Sequence, residues 1–193
     1  MTSLLGTLMG FSLLLGSGPL SFVSGTNTSQ VTTSPPVPSY TVTVTAYNAV
    51  PEQTDSNPFE TASGAYSNPE VVAARSQDLA AELPFGTIVE FDGSATAPEG
   101  TCGFNAVAPE VGYRVIADTM NARYNDRVDI LFNTEKEYMN ASRTPMNAAM
   151  VLGICGNITI RVVGFVPINH IPKTQAALAA LVHGGVTELA INK

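Results

Sequence analysis

Charge is what this chain has least of. Only 13% of its 193 residues are Asp, Glu, Lys or Arg, against the usual quarter, and none of the first 51 is charged or is His. Basic residues are scarcer still: 9 Lys and Arg stand against 16 Asp and Glu, for a net charge of −7. That balance excludes nucleic acid as a partner, because phosphate binding needs clustered cations. The only two histidines, His170 and His183, lie apart and late in the chain. With two cysteines far from either, no ligand set has metal spacing, so no metal is expected. No Gly-rich loop opens a helix to cradle a phosphate, so no cofactor is expected either. Tryptophan is absent and aromatics reach only 7%, which argues against a surface built purely for stacking on sugars.

What is present is uneven along the chain. LLGTLMGFSLLLGSGPLSFVSG is apolar and small, like the central region of a secretory signal, with Val23 and Gly25 as small residues before a cut. It lacks the customary leading Lys or Arg, so an uncleaved membrane anchor is the alternative; Gly10, Gly16, Gly18 and Pro19 interrupt the run. TNTSQVTTSPPVPS follows, a Ser/Thr/Pro linker that cannot bury a face. Residues 1–25 therefore read as signal peptide or anchor, 26–39 as linker, 40–166 as one folded domain and 167–193 as a helical extension. The expected location is outside the cytoplasm, secreted or associated with the cell envelope. Export suits Cys102 and Cys155, which are expected to pair. No feature calls for a second copy, and a monomer is expected.

Beyond the linker the period is that of strands. SYTVTVTAY alternates, with Val42, Val44 and Ala46 on one face and Thr41, Thr43, Thr45 and Tyr47 on the other. VVAA (71–74), the run after Gly86, YRVIAD (113–118), RVDILF (127–132) and NITIRVVGFV (157–166) read as further strands. Ser63-Gly64 marks a turn, and SQDLAAEL (76–83) one or two helical turns. TEKEYMNA and TPMNAAMVLG read as short helical pieces, the Cys102 segment as an irregular excursion, and KTQAALAALVHGG as a helix with a Leu178, Leu181, Val182 stripe. About six short strands with small helical inserts predict a mainly β, closed or nearly closed barrel with a C-terminal helix. No internal repeat is evident.

Within this charge-poor chain, DTMNARYNDRVDI gathers Asp118, Arg123, Asp126, Arg127 and Asp129. Asp129 interrupts a strand whose alternate residues, Val128, Ile130 and Phe132, face the core; it must face a groove or solvent. Asp118 ends the neighbouring strand, where an Asp commonly just holds a loop. If the two approach, one pKa rises and that group can keep a proton near neutrality, while Arg123 and Arg127 oppose this. A carboxyl that holds a proton can protonate a glycosidic oxygen.

VTAY (44–47), TASG (61–64), LPFGTIV (83–89), IADT (116–119) and RVDI (127–130) occur in the order found in the three-aspartate, or 3D, domain, which this chain resembles over about residues 41–166. That domain is similar to the catalytic part of MltA-type lytic transglycosylases and shares the double-psi β-barrel of barwin-like endoglucanases, expansins and RlpA-like proteins. The resemblance implies an exported enzyme cleaving peptidoglycan or a related polysaccharide with no cofactor. It places the three acids on Asp78, Asp118 and Asp129, with Asp129 as acid/base and Asp118 as its charged or hydrogen-bonded neighbour. Thr45 and Tyr47 would line the groove, Tyr47 either stacking on a sugar or packing in the core. Asn121 and Arg127 beside the acids are further expected substrate contacts. Thr119-Met120-Asn121-Ala122 departs from the family's Thr-Gly-Gly-Ala, and so alters the loop over the groove. A glycan-binding barrel without catalysis and a simple hydrolase are the competing functions. Hydrolysis needs a second acid across the groove, for which Asp55 is the candidate.

Overall fold

The computed structural model describes residues 37–54, 57–93, 102–139 and 143–184. The N-terminal apolar segment, most of the linker and Asp55 lie outside the described residues. Six strands close into a barrel: β1 (Ser39–Asn48), β2 (Val72–Arg75), β3 (Thr87–Asp92), β4 (Arg114–Thr119), β5 (Arg127–Phe132) and β8 (Cys155–Phe165). Their order around the barrel is β1-β5-β2-β4-β3-β8. The expected mainly β, six-stranded barrel is thus the fold. Closure leaves none of the six strands as an unpaired edge.

Two neighbour pairs, β1 with β5 and β2 with β4, are parallel; the others are antiparallel. Exchanging β1 with β4, β2 with β5 and β3 with β8 preserves every pairing and its direction: β1–β5 exchanges with β2–β4 and β1–β8 with β3–β4, while β2–β5 and β3–β8 map onto themselves. The barrel is therefore two interlocked halves related by a twofold exchange. The sequence shows no repeat because only the pairing, not the side chains, is shared.

Alternation along the strands sorts apolar residues into two clusters. Val42, Val44, Ala73, Val128, Ile130, Phe132, Ile158 and Ile160 belong to one. Tyr47, Val72, Ala74, Val115, Ala117 and Leu131 belong to the other. The face assignment of β1 and β5 read from their periodicity holds, Leu131 lying opposite Val128 and Ile130. Gly86, in the Pro-Phe-Gly-Thr turn, has φ 97° and accepts Val166 N–H at 2.8 Å, a position any side chain would crowd against the Val166 carbonyl.

Two expectations change. The segment after Cys102 is not irregular: α1 (Phe104–Val111) buries Phe104, Val107 and Val111. Its spacing is helical, but Pro109 sits inside the helix and masks the pattern. TEKEYMNA contributes a strand, β6 (Glu137–Met139), which pairs with β7 (Pro145–Asn147). The following segment gives the short helix expected, α2 (Ala148–Leu152), with Asn147 as its N-cap and Gly153 ending it. The C-terminal helix α3 (Gln175–His183) docks on the barrel through fully buried Leu178. Gln175 reinforces the docking by donating to the Tyr113 carbonyl at 2.7 Å and accepting its N–H at 3.2 Å.

Arg114 is buried and has no carboxylate partner among the described residues. Its guanidinium donates to the carbonyls of Val111 (2.7 Å), Pro69 (2.6 Å), Leu131 (3.0 Å) and Glu110. Desolvation lowers its pKa to about 9, against the pull of Tyr47, Glu110 and Glu70. It pins the approach to β2 and the end of α1 to β5.

Candidate active site

Four strands bring the focal residues into one row. On β1 and β5, Thr45 is paired with Asp129; on β5 and β2, Asp129 with Ala74; on β2 and β4, Ala74 with Asp118. Residues paired directly across strands project on the same face. The order Thr45, Asp129, Ala74, Asp118 is therefore one row, completed by a register shift between Ala73 and Ala74 that sets Asp118 opposite Ala74. Two strand spacings separate the acids, on the order of 10 Å between backbones. Ala74, which stands between them in this row, is small. A cleft of about 670 Å³ opens over the Asp129, Ala74 and Asp118 part of this row, walled also by Ala46, Tyr47 and Met120; Thr45, expected to line it, is not on its wall and instead hydrogen-bonds Asp129.

Asp118 is a clamp. Its Oδ2 accepts the Tyr47 hydroxyl at 2.9 Å, and Oδ1 accepts the N–H groups of Ala62 and Thr119, each at 2.9 Å. One carboxylate thus joins the end of β1, the turn at Ala62 and the end of β4. The Tyr47 hydroxyl is driven well above its usual pKa, by burial first and then by Asp118, so it stays a donor.

Asp129 has the opposite character. Its pKa is raised to about 6, with burial as the largest cause. The hydrogen bond with the Thr45 side chain and the charge of Arg127 pull it down, and Asp118 adds a smaller push upward. The sequence reading made repulsion between the acids the source of the shift; desolvation is the larger effect because the row keeps them apart. Oδ1 of Asp129 is buried with no hydrogen-bond partner. An unpaired carboxylate oxygen out of water is costly, and protonation relieves that cost.

The remaining candidates divide. Asn121 lines the cleft, as do Arg123 and Tyr124. Arg127 does not; its guanidinium lies over the Tyr124 ring, 4.7 Å from the centroid, and it reaches Asp129 only through its charge. Asp78 is also away from the cleft. It is exposed on the 3-10 turn Gln77–Ala80, and its Oδ2 accepts the N–H of Asp126 at 2.9 Å. The Ser76 side chain and that N–H hold its pKa below the usual range. Asp78 fastens the loop that overhangs the acids and is not itself at the reacting end. The Tyr47 ring packs in the second cluster and is 7% exposed, so of its two expected roles it takes core packing.

The loop also accounts for the missing glycines. Met120 is buried in the second cluster, and Asn121 closes an Asx turn by accepting the Arg123 N–H at 3.1 Å. In this loop the positive φ falls at Asp126 (49°), not at Met120 or Asn121. Two residues with no place in the sequence reading, Glu52 and Glu60, also line the cleft. They sit in the turn-rich segment after Tyr47, where nothing local distinguishes them from solvated turn residues.

The arrangement offers one carboxyl of raised pKa on an open cleft, one carboxyl with three hydrogen bonds beside it and two further acids on the wall. Comparison with protein-family models and with curated proteins gives no match, so the likeness to the 3D domain stands on the ordered motifs and the six-stranded barrel.

Proposed function

We propose that the chain is an exported glycan-cleaving enzyme of the 3D type, a peptidoglycan lytic transglycosylase with Asp129 as its acid/base. The observation that carries the reading is a mid-strand carboxyl, pKa about 6, on the wall of an open cleft with one oxygen unpartnered. Such a group is partly protonated near neutrality and ready to give its proton.

In this mechanism Asp129 protonates the glycosidic oxygen as the C1–O bond breaks. The oxocarbenium-like centre that develops is favoured by the acidic cleft wall. The ionised Asp129 then takes the proton of the C6 hydroxyl on the same N-acetylmuramic acid ring. O6 bonds to C1, which gives a 1,6-anhydro end and returns the proton to Asp129. Asp118 never needs to move a proton; with its three hydrogen bonds it fixes the cleft floor and a nearby charge.

The disulfide between Cys102 and Cys155 supports a location outside the cytoplasm. Hydrolysis is the second reading, because Glu52 and Glu60 share the cleft with Asp129 and either would serve as the base that activates water. Digestion of purified peptidoglycan, with mass spectrometry of the products, decides between them. Anhydro ends are expected; reducing ends would transfer the assignment to hydrolysis. Binding without products would leave a glycan-binding barrel.

A further inference from the structure

Two connections supply the upper wall of the cleft, and they differ in charge. The β1–β2 connection contributes Glu52 and Glu60; the β4–β5 loop contributes Asn121, Arg123 and Tyr124. Arg123 is the only cation among the described residues that line the cleft. A guanidinium sharing a cleft with four acids, Glu52, Glu60, Asp118 and Asp129, would ordinarily close an ion pair with one of them. This one has no carboxylate within ion-pair distance among the described residues. Its Nη2 donates instead to the Tyr124 hydroxyl at 2.8 Å, and its Cζ lies 4.8 Å from the Tyr124 ring centroid. Arg127 lies over the same ring, and of the two it is Arg127 whose charge reaches Asp129. The loop is tied down as well: Arg123 N–H donates to the Asn121 side chain and Tyr124 N–H to the Asn121 carbonyl, each at 3.1 Å. Cations elsewhere are already committed. Lys136 and Arg161 pair with Glu110 and Glu90, and Arg75 and Arg114 are buried on backbone carbonyls. The fold therefore holds a positive charge at the cleft without spending it on the acids.

We propose that Arg123, braced on Tyr124, is a carboxylate subsite, so that the cleft selects a glycan whose sugar carries an acidic arm. A guanidinium presents its N–H donors as a planar fork that a carboxylate matches two at a time. Stacking on Tyr124 restricts that fork in advance, which lowers the cost of ordering it on binding. Glu52 and Glu60 repel the same arm, so the strand has one favoured orientation across the cleft. The inference rests on the glycan reading above and narrows its substrate to strands containing muramic acid, as against a neutral N-acetylglucosamine polymer. On a muramic acid ring the arm leaves at O3, away from the C1 and O6 that exchange bonds, so holding it does not obstruct the reaction. The carboxylate is either the lactyl acid itself or one borne by a peptide attached to it.

The test is calorimetric titration into the Asp129→Asn protein, so that no turnover intrudes. The probes are a peptide-free strand of alternating N-acetylglucosamine and N-acetylmuramic acid, the same strand with its lactyl acids converted to methylamides, and the strand with its stem peptides intact. The free-acid strand or the peptide-bearing strand is expected to bind about tenfold tighter than the methylamide, or ~1.4 kcal/mol. Whichever does so identifies the source of the carboxylate. Arg123→Ala in the same background should erase that difference by weakening the acidic strand alone, and Arg123→Lys should retain part of it. Lys173→Ala, an exposed cation away from the cleft, is expected to change nothing. Affinities that Arg123→Ala leaves unchanged overturn the subsite. So does an equal loss on the methylamide, which would make Arg123 a support of the loop, and so does no measurable binding of any strand. Peptidoglycan digestion by the wild-type protein separates this from the cleavage reading. Arg123-dependent binding without products keeps the subsite and removes the enzyme; products with Arg123-independent affinity do the reverse.

Discussion

Ionising Asp129 costs the fold stability. Its folded pKa of about 6 lies above the ordinary carboxyl value of 3.8. The native state therefore binds more protons than the unfolded chain between those values, and stability falls as pH rises through them. The cost is absent below pH 3.8, grows toward pH 6 and is complete above it, on the order of 3 kcal/mol for a shift of this size. Asp129→Asn removes the charge and should abolish turnover while raising the denaturation midpoint at pH 7–8 relative to pH 4. Urea titrations of both proteins across that range test this; a variant less stable than wild type at every pH would make Asp129 a structural clamp. Asp118→Asn is gentler. The amide oxygen can still accept from Ala62 and Thr119, and its NH₂ can donate to the Tyr47 oxygen. The lost charge withdraws an upward push on Asp129, so the alkaline limb of kcat/KM should move to lower pH with little change in folding. That Asp129 faces away from the first core cluster was legible from Val128 and Ile130. The source of its raised pKa was not, because desolvation is set by residues distant in the chain.

At the scale of elements, the loop from Met120 to Asp126 is the mobile-looking piece of sequence that turns out to be tied at both ends. Met120 N–H donates to the Arg75 carbonyl at 2.8 Å, and Asp126 N–H to Asp78. Asp78→Ala should release the second tie and loosen Asn121 and Tyr124 over the cleft. The expected signature is a raised KM with a smaller change in kcat, together with faster amide exchange at Asp126. A collapse of kcat at unchanged KM would instead return Asp78 to the reaction. Strands were the legible elements, since period-two alternation survives in β1, β4, β5 and β8. Helix α1 was not, because Pro109 breaks the usual vocabulary of a helix while Phe104, Val107 and Val111 keep its spacing. The β6–β7 pair was read as helical because Glu135, Lys136 and Glu137 are good helix formers, and the partner strand that overrides them lies eight residues on.

The whole molecule is a set of distant pairings, and that is why its closure was hidden. β1 pairs with β5 and β8, never with its successor β2, so strand count was readable while strand order was not. A chain of this kind must close long loops before it gains contacts. The Cys102–Cys155 bridge closes one of them in advance, across a sequence separation of 53. By chain entropy that loop contributes about 4 kcal/mol. Cys155 belongs to the first core cluster and is paired with Val44, whereas neither cysteine lines the cleft. Reduction, or paired Cys→Ser substitution, should therefore lower the melting temperature and the urea midpoint by several kcal/mol equivalents. The kcat of whatever fraction stays folded, and the pH at which Asp129 titrates, should be unchanged. Loss of turnover at a temperature where circular dichroism shows the reduced barrel still intact would instead mean that the bridge shapes the cleft through β1, whose Thr45 and Tyr47 touch both acids.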